Sequence, residues 1–176
     1  CRIEPENNID KIVEGFRASK STKKLVIAGG ANYKSSLVES LQQIKDPRVV
    51  FLGPVYTDNH IEELHFHCFA YVHGHEVGGT NPSLLKAMGC GNIVLANGTA
   101  YNREVLGETG LFFEPTVEMT SRSIEELESR YLQHQHLRAL AQDCIRRYYT
   151  WDRSAEFHTQ YFSHLLGERA TYGETF

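Results

Sequence analysis

The sequence predicts a doubly wound, Rossmann-like α/β domain, and three features carry that prediction. Strand-like and helical patterns alternate along the chain, the strand-like runs are apolar throughout, and glycine or proline closes most of them. Strands without a polar face are those covered on both sides, and their alternation with helices is the pattern of a parallel sheet.

Ile9, Ile12, Val13 and Phe16 fall at helical spacing and predict an amphipathic helix. Leu25–Ala28 is a short apolar strand ended by Gly29-Gly30. Leu37, Leu41 and Ile44 mark the next helix, which Asp46-Pro47 stops because a residue before proline is pushed out of the helical region. Val49–Leu52 reads as a strand closed by Gly53-Pro54, His60–His67 as a short helix, and Cys68–Val72 as a strand. A helix over Pro82–Met88 follows, then strands at Asn92–Ala96 and Gly110–Phe113. From Val117 the chain reads as helical in about three pieces (117–166), with a joint at Tyr148–Trp151. The tail aromatics Tyr148, Tyr149, Trp151, Phe157, Tyr161 and Phe162 are expected to pack, for the most part, in the core of this domain, the alternative being a surface that another domain covers. An open α/β domain ordinarily begins with a strand, and here Cys1-Arg2-Ile3 is all that precedes the first turn. Either that strand lies upstream or the sequence starts inside it, and with no initiating methionine the true N-terminus is expected to lie upstream.

The 176 residues suit one domain, with no repeat or low-complexity stretch. A net charge of -4 and a pI near 6.1 give no reason to expect nucleic acid as a partner. Cys1, Cys68, Cys90 and Cys144 lie far apart and are read as reduced thiols. No stretch approaches the roughly 20 apolar residues that span a bilayer.

The most informative segment is His73–Leu85, which leaves a buried strand and runs into a helix. Ligands of doubly wound sheets bind beyond the carboxyl ends of the strands. Gly78 and Gly79 allow close approach of backbone to a ligand. Asn81 suits the N-cap and Pro82 the first helical position. The N–H groups of that first turn, with the helix dipole, predict an anion site. There is no GxGxxG or GxxxxGK[ST] fingerprint, so the loop by itself predicts an anion site and no particular reaction. His73 and His75, two apart on a strand, share a face; one or the other is read as lining the cleft, with simple packing the alternative, and no metal is predicted.

The run Gly78–Gly91, GGTNPSLLKAMGCG, resembles the donor-site motif EGFGLPLLEAMACG of the retaining family-four glycosyltransferases. The likeness extends in order over nearly the whole chain. Arg2–Asn7 resembles the family's GRLxPEKG turn, Leu25–Gly30 its second strand, and Val50–Gly53 its third. Asn102–Leu106 with Gly110-Leu111 resembles the helix and strand after the donor loop, and Tyr149–Asp152 with Ala155 the (Y/F)SWDxxA segment. The GGTNPSL variant is most similar to a bacterial branch associated with rhamnosyl transfer.

The resemblance implies the C-terminal half of a GT-B fold: residues 1–176 as a single nucleotide-sugar-binding domain, with the N-terminal acceptor domain absent. It implies a nucleoside diphosphate sugar (dTDP-, UDP- or GDP-linked) as substrate, a glycan or lipid-linked acceptor, retention of configuration and no cofactor. The role would be bacterial polysaccharide or lipid-linked glycan assembly, and the expected location is cytoplasmic, peripheral to the inner face of the membrane through the absent domain.

By the same resemblance Arg2 matches the diphosphate-binding arginine, and Gly79, Thr80, Asn81 and Ser83 match the loop whose amides face sugar and phosphate. Ser83 and Leu84 lie at the helix start near the diphosphate. Three departures stand out. The motif's paired glutamates fall on Gly78 and Lys86, and the diphosphate-binding lysine falls on Asn7. A lysine ammonium has only donors and cannot accept from ribose hydroxyls. Glu76 is the candidate to replace the first glutamate, with His75 beside it, and Lys86 the candidate to reach the diphosphate. A docking domain that has lost its chemistry is the alternative, and a sugar-nucleotide epimerase of related architecture a third.

Overall fold

The computed structural model describes residues 2–31, 33–57 and 59–167. Cys1, placed by the sequence in the opening strand and among the reduced thiols, lies outside the described residues; Cys68, Cys90 and Cys144 are free thiols.

After a 3-10 turn at Pro5–Asn7 the order is α1 (Ile9–Ala18), β1 (Leu25–Ala28), α2 (Ser36–Gln42), β2 (Val49–Gly53), α3 (His60–His67), β3 (Tyr71–His73), α4 (Pro82–Gly89), β4 (Val94–Asn97), α5 (Ala100–Leu106) and β5 (Leu111–Phe113). Four helices complete it: α6 (Val117–Ser129), α7 (Tyr131–His134), α8 (His136–Tyr148) and α9 (Trp151–Leu165). β1 pairs with β2, and β3, β4 and β5 pair in that order. Every one of these ladders is parallel, with Leu25 opposite Val49, Tyr71 opposite Val94 and Leu95 opposite Leu111.

β4 shows why the strands carry no polar face. All four of its residues are buried. Leu95, with Ile93 just before the strand, packs among Ile12 and Phe16 of α1 and Ile124 and Leu127 of α6. Val94 and Ala96 point the other way, onto Leu84, Ala87 and Met88 of α4, Val105 and Leu106 of α5, and Ala141 of α8. Successive strand residues face opposite sides, so helices on both faces demand an unbroken apolar run. A third cluster joins Ile3, Val13, Ile27 and Leu41 on the β1–β2 side.

Several boundaries differ from the sequence expectation for identifiable reasons. The strand expected at Asn92 begins at Val94, because Asn92 is tied back to α4: its backbone N–H and its Nδ2 both donate to the Ala87 carbonyl, at 3.1 and 2.9 Å. The strand expected from Cys68 begins at Tyr71, whose N–H donates to the Ile93 carbonyl. Cys68 instead caps α3, and Phe69 stacks on Tyr131 with ring centroids 3.9 Å apart. α2 stops before Ile44, as the Gln43 and Ile44 amides turn to carbonyls three residues back. The tail is helical in four pieces rather than three, the short α7 standing apart. Its last break falls at the expected joint, where Thr150 Oγ1 accepts from the Arg153 amide and starts α9.

The expectation for the tail aromatics is overturned. No residue of α9 is buried, and Trp151, Phe157, Tyr161 and Phe162 are all exposed. The stripe is apolar, but no other described element covers it. Among the described residues no helix is long and apolar enough to cross a membrane.

Leu95 is 2% exposed at the centre of its cluster whereas Leu166 is 78% exposed. Leu95→Ala is therefore expected to cost about 2–5 kcal/mol in urea unfolding, and Leu166→Ala less than about 0.5 kcal/mol. Equal effects would mean that the clusters do not carry the stability.

Candidate functional site

β3 ends at His73, and the next two peptide units are held by three asparagine side chains from distant parts of the chain. Asn8 Nδ2 donates to the Gly74 carbonyl at 2.9 Å, and Asn97 Nδ2 reaches the same oxygen at 3.4 Å. Asn102 Nδ2 donates to the His75 carbonyl at 3.0 Å and to the Asn97 carbonyl at 2.9 Å. All three asparagines are buried. Asn8 adopts a left-handed backbone conformation, φ 52°, which asparagine tolerates better than most residues. Gly74 has no substitute here: a Cβ would lie 2.3 Å from the Asn7 carbonyl oxygen. The Glu76 amide then donates to the Glu6 carbonyl at 2.9 Å. The N-terminal turn, the end of β4 and the start of α5 thus converge on one strand exit.

Beyond Glu76 the loop is open. The amides of Val77 through Asn81 have no hydrogen-bond partner among the described residues. Gly78 sits at φ 103°, a region that L side chains rarely adopt, with open space above it. Asn81 is the N-cap of α4, its side chain accepting from the Ser83 amide at 2.9 Å. The Leu84 and Leu85 amides both donate to the Asn81 carbonyl, and Pro82 has no N–H. Contrary to the expectation, then, the first turn of α4 has no free N–H for an anion. The available donors are the preceding loop amides, together with the partly exposed Ser83 hydroxyl.

The remaining predicted residues scatter around this loop. His75 is half-buried at its start, while Glu76, Gly78, Gly79 and Thr80 are exposed. Leu84 is fully buried against β4, so its side chain faces the core and not the loop. Asn7 is buried and donates from Nδ2 to the Arg2 carbonyl at 2.7 Å, closing the N-terminal turn. Arg2 is exposed and bridges to Gly30 through its backbone. Lys86, on α4, pairs with Glu62 of α3 at 2.7 Å, both side chains being about half exposed at 45% and 47%. That hydrogen bond lowers the Glu62 pKa from its ordinary value.

The two histidines at the strand exit are stacked, centroids 4.3 Å apart and planes 8° from parallel. Parallel rings do not aim their nitrogens at a common point, and among the described residues no group of three His, Cys, Asp or Glu side chains could hold a metal ion. His73 is 1% exposed and has the Tyr71 hydroxyl 3.3 Å from its Nδ1. Burial, with a smaller contribution from His75, pushes its pKa down from 6.5 to about 3. Burial likewise lowers His75.

Residues 1–144 match the family described as glycosyl transferases group 1, and the chain belongs to that family. No curated protein matches it at the sequence level. Its fold is that of the C-terminal, Rossmann-like half of GT-B glycosyltransferases. The structure of Anabaena Alr3699/HepE in complex with UDP-glucose superposes with a TM-score of 0.77 at 19% identity, covering 94% of this chain and 47% of that one. The C-terminal domain of a glycosyl transferase group 1 family protein (LpcC) from Francisella tularensis gives a TM-score of 0.72 at 18% identity, covering 85% of this chain and 83% of that one. The catalytic domain of cholesterol-α-glucosyltransferase from Helicobacter pylori gives 0.70 at 20% identity, covering 85% and 95%. The chain spans about half the length of the HepE protein, 47%.

Sequence reasoning singled out the loop but missed what holds it. Asn8, Asn97 and Asn102 had a signal, since each is a polar residue beside a predicted strand or turn. Glu62 had none, because its pairing with Lys86 is set by how α3 packs beside α4.

His73 generates a pH prediction. A histidine whose folded pKa lies below its unfolded value contributes stability that is complete above the unfolded pKa of 6.5 and is lost as pH falls toward 3. Unfolding free energy is expected to drop by about 2 kcal/mol between pH 7.5 and 5 on account of His73. In His73→Asn the decline over that range should be shallower; an unchanged slope would show that His73 is not buried as a neutral ring.

Proposed function

We propose that this domain binds a nucleoside diphosphate sugar at the loop from His75 to Ser83, as the donor half of a retaining glycosyltransferase. The observation that carries the reading is the row of unpartnered amides at Gly78, Gly79, Thr80 and Asn81, in the loop beyond the carboxyl end of β3 in a chain of this family. Amides held in place by a folded scaffold stabilise negative charge without reorganising at the moment of reaction. They face the sugar and diphosphate, with Ser83 donating from its hydroxyl and Arg2 and Lys86 supplying positive charge. Leaving-group charge is met by these groups, so the reaction calls for no cofactor. Glu76 and His75, at the start of the loop, contact the sugar. The UDP and UDP-glucose complexes of the HepE structures support a sugar nucleotide as ligand.

The acceptor, a glycan or lipid-linked glycan, is held by a second domain across the cleft, and the 176 residues alone bind donor without turnover. Transfer to such an acceptor in bacterial polysaccharide assembly, at the cytoplasmic face of the membrane, completes the proposal, with dTDP-rhamnose one donor of the right chemistry. The ion pair between Lys86 and Glu62 favours a second reading. It occupies the cation that would otherwise reach the diphosphate, as in a docking domain that no longer binds donor.

Calorimetric titration with UDP, dTDP and GDP separates the two. The donor reading expects saturable binding of one of the three, weakened about tenfold, or 1.4 kcal/mol, in Lys86→Glu. Binding that tightens in that variant would remove Lys86 from the diphosphate site. No binding of any nucleotide would favour the docking domain.

A further inference from the structure

Ser83 lies in the first turn of α4 and Lys86 three residues on, so the two stand one above the other on the same face. They are about 4.5 Å apart along the helix axis. Both line a cleft of about 1220 Å³ between β1 and β3. Lys86 does not stand there alone. Its Nζ donates to Glu62 Oε1 of α3 at 2.7 Å, and both side chains are about half exposed. An ion pair this open to solvent contributes little to folding, so its geometry is free to serve a ligand.

On the donor reading above, the parts of the ligand fall along the chain in order. The transferred sugar lies at His75 and Glu76, and the diphosphate at the Gly78–Asn81 amides and Ser83. The nucleoside is left to the next turn of α4, where Lys86 stands. A pentose there presents hydroxyl groups, which need acceptors. A lysine ammonium has only donors, so Lys86 by itself would leave those hydroxyls unmet. The carboxylate that it holds would not. An ionised carboxylate accepts at about four positions, and Lys86 together with the backbone of Glu62 takes two of them. Neighbouring acceptors are already committed: the Asn81 side chain to the Ser83 amide at 2.9 Å, and Glu63 to His67 at 3.1 Å.

We infer that Glu62, oriented by the Lys86 ammonium, receives the pentose hydroxyls of the nucleoside diphosphate. Glu62 is then a specificity-determining residue and Lys86 its positioning residue; the assignment rests on the donor reading. The ion pair acquires a different sense. It does not merely occupy a cation. One helix supplies a carboxylate, the other holds it one turn beyond the diphosphate, and together they form a composite site for the nucleoside half of the donor. Because the lysine pins the carboxylate before the ligand arrives, less side-chain freedom is lost on binding.

The test compares two affinities of the 176-residue chain: for whichever of UDP, dTDP and GDP binds, and for its 2′,3′-dideoxy form, which keeps the diphosphate and lacks the pentose hydroxyls. The parent chain is expected to prefer the hydroxylated form by at least about tenfold. That preference should fall below about threefold in Glu62→Ala, and equally in Lys86→Met, where the carboxylate is no longer held. A cooperative thermal transition shows that each variant is folded. Were Glu62 only a counter-ion, its removal would shift both affinities together and leave the preference as in the parent chain, which would overturn the inference. So would a parent chain indifferent to the hydroxyls. In both of those cases the donor reading stands, because nucleotide still binds. Absence of binding by all three nucleotides would instead remove the donor reading and this assignment with it.

Discussion

The structure depends on how the chain leaves β3. A strand that stops beside a ligand site exposes carbonyls that no ladder can satisfy, and a buried carbonyl without a donor costs about 1–3 kcal/mol. Here Asn8, Asn97 and Asn102 supply those donors to Gly74 and His75. Each comes from a different stretch of chain, so satisfying two carbonyls also fixes the N-terminal turn, the end of β4 and the start of α5 against one another. The loop that follows leaves its amides without protein partners in residues that are largely exposed to solvent. The same hydrogen bonds that hold the strand exit fix the point from which the loop Val77–Asn81 departs.

Much of this was legible in the residues because the physics is local. The apolar run Val94–Ala96 needs helices on both faces, and its side chains divide between two clusters as strand alternation requires. Asn81-Pro82 announces a helix start, and the cap forms as expected. Boundaries were less legible where a side chain competes with the ladder. Asn92 reads as the first residue of a strand, yet its amide and side chain both return to Ala87, a choice settled by where α4 ends rather than by propensity.

The site was legible as a loop and not as a set of contacts. The motif marks Leu84, but that side chain is needed by the core. The first-turn amides of α4 suggest an anion site, but Asn81 consumes them through both its side chain and its carbonyl. Lys86 reads as a candidate to reach the diphosphate, and its partner Glu62, brought to 2.7 Å by α3, is not visible in the sequence. In each case the deciding partner is distant in sequence or acts through backbone geometry, which residue type alone does not reveal. The tail aromatics make the converse point: an apolar stripe predicts burial, not which surface provides it, and α9 stands uncovered by the other described elements.

The central claim is that the clamped loop presents its amides to a nucleoside diphosphate. Amide-resolved NMR titration of the chain with UDP, dTDP and GDP tests it most directly. The account expects one of them to move the resonances of Gly78, Gly79, Thr80 and Asn81 most, with Leu84 and Leu85 little affected because their N–H groups are already bonded within the cap. Shifts centred on Leu84 and Leu85, or confined to the cleft between β1 and β3, would contradict it.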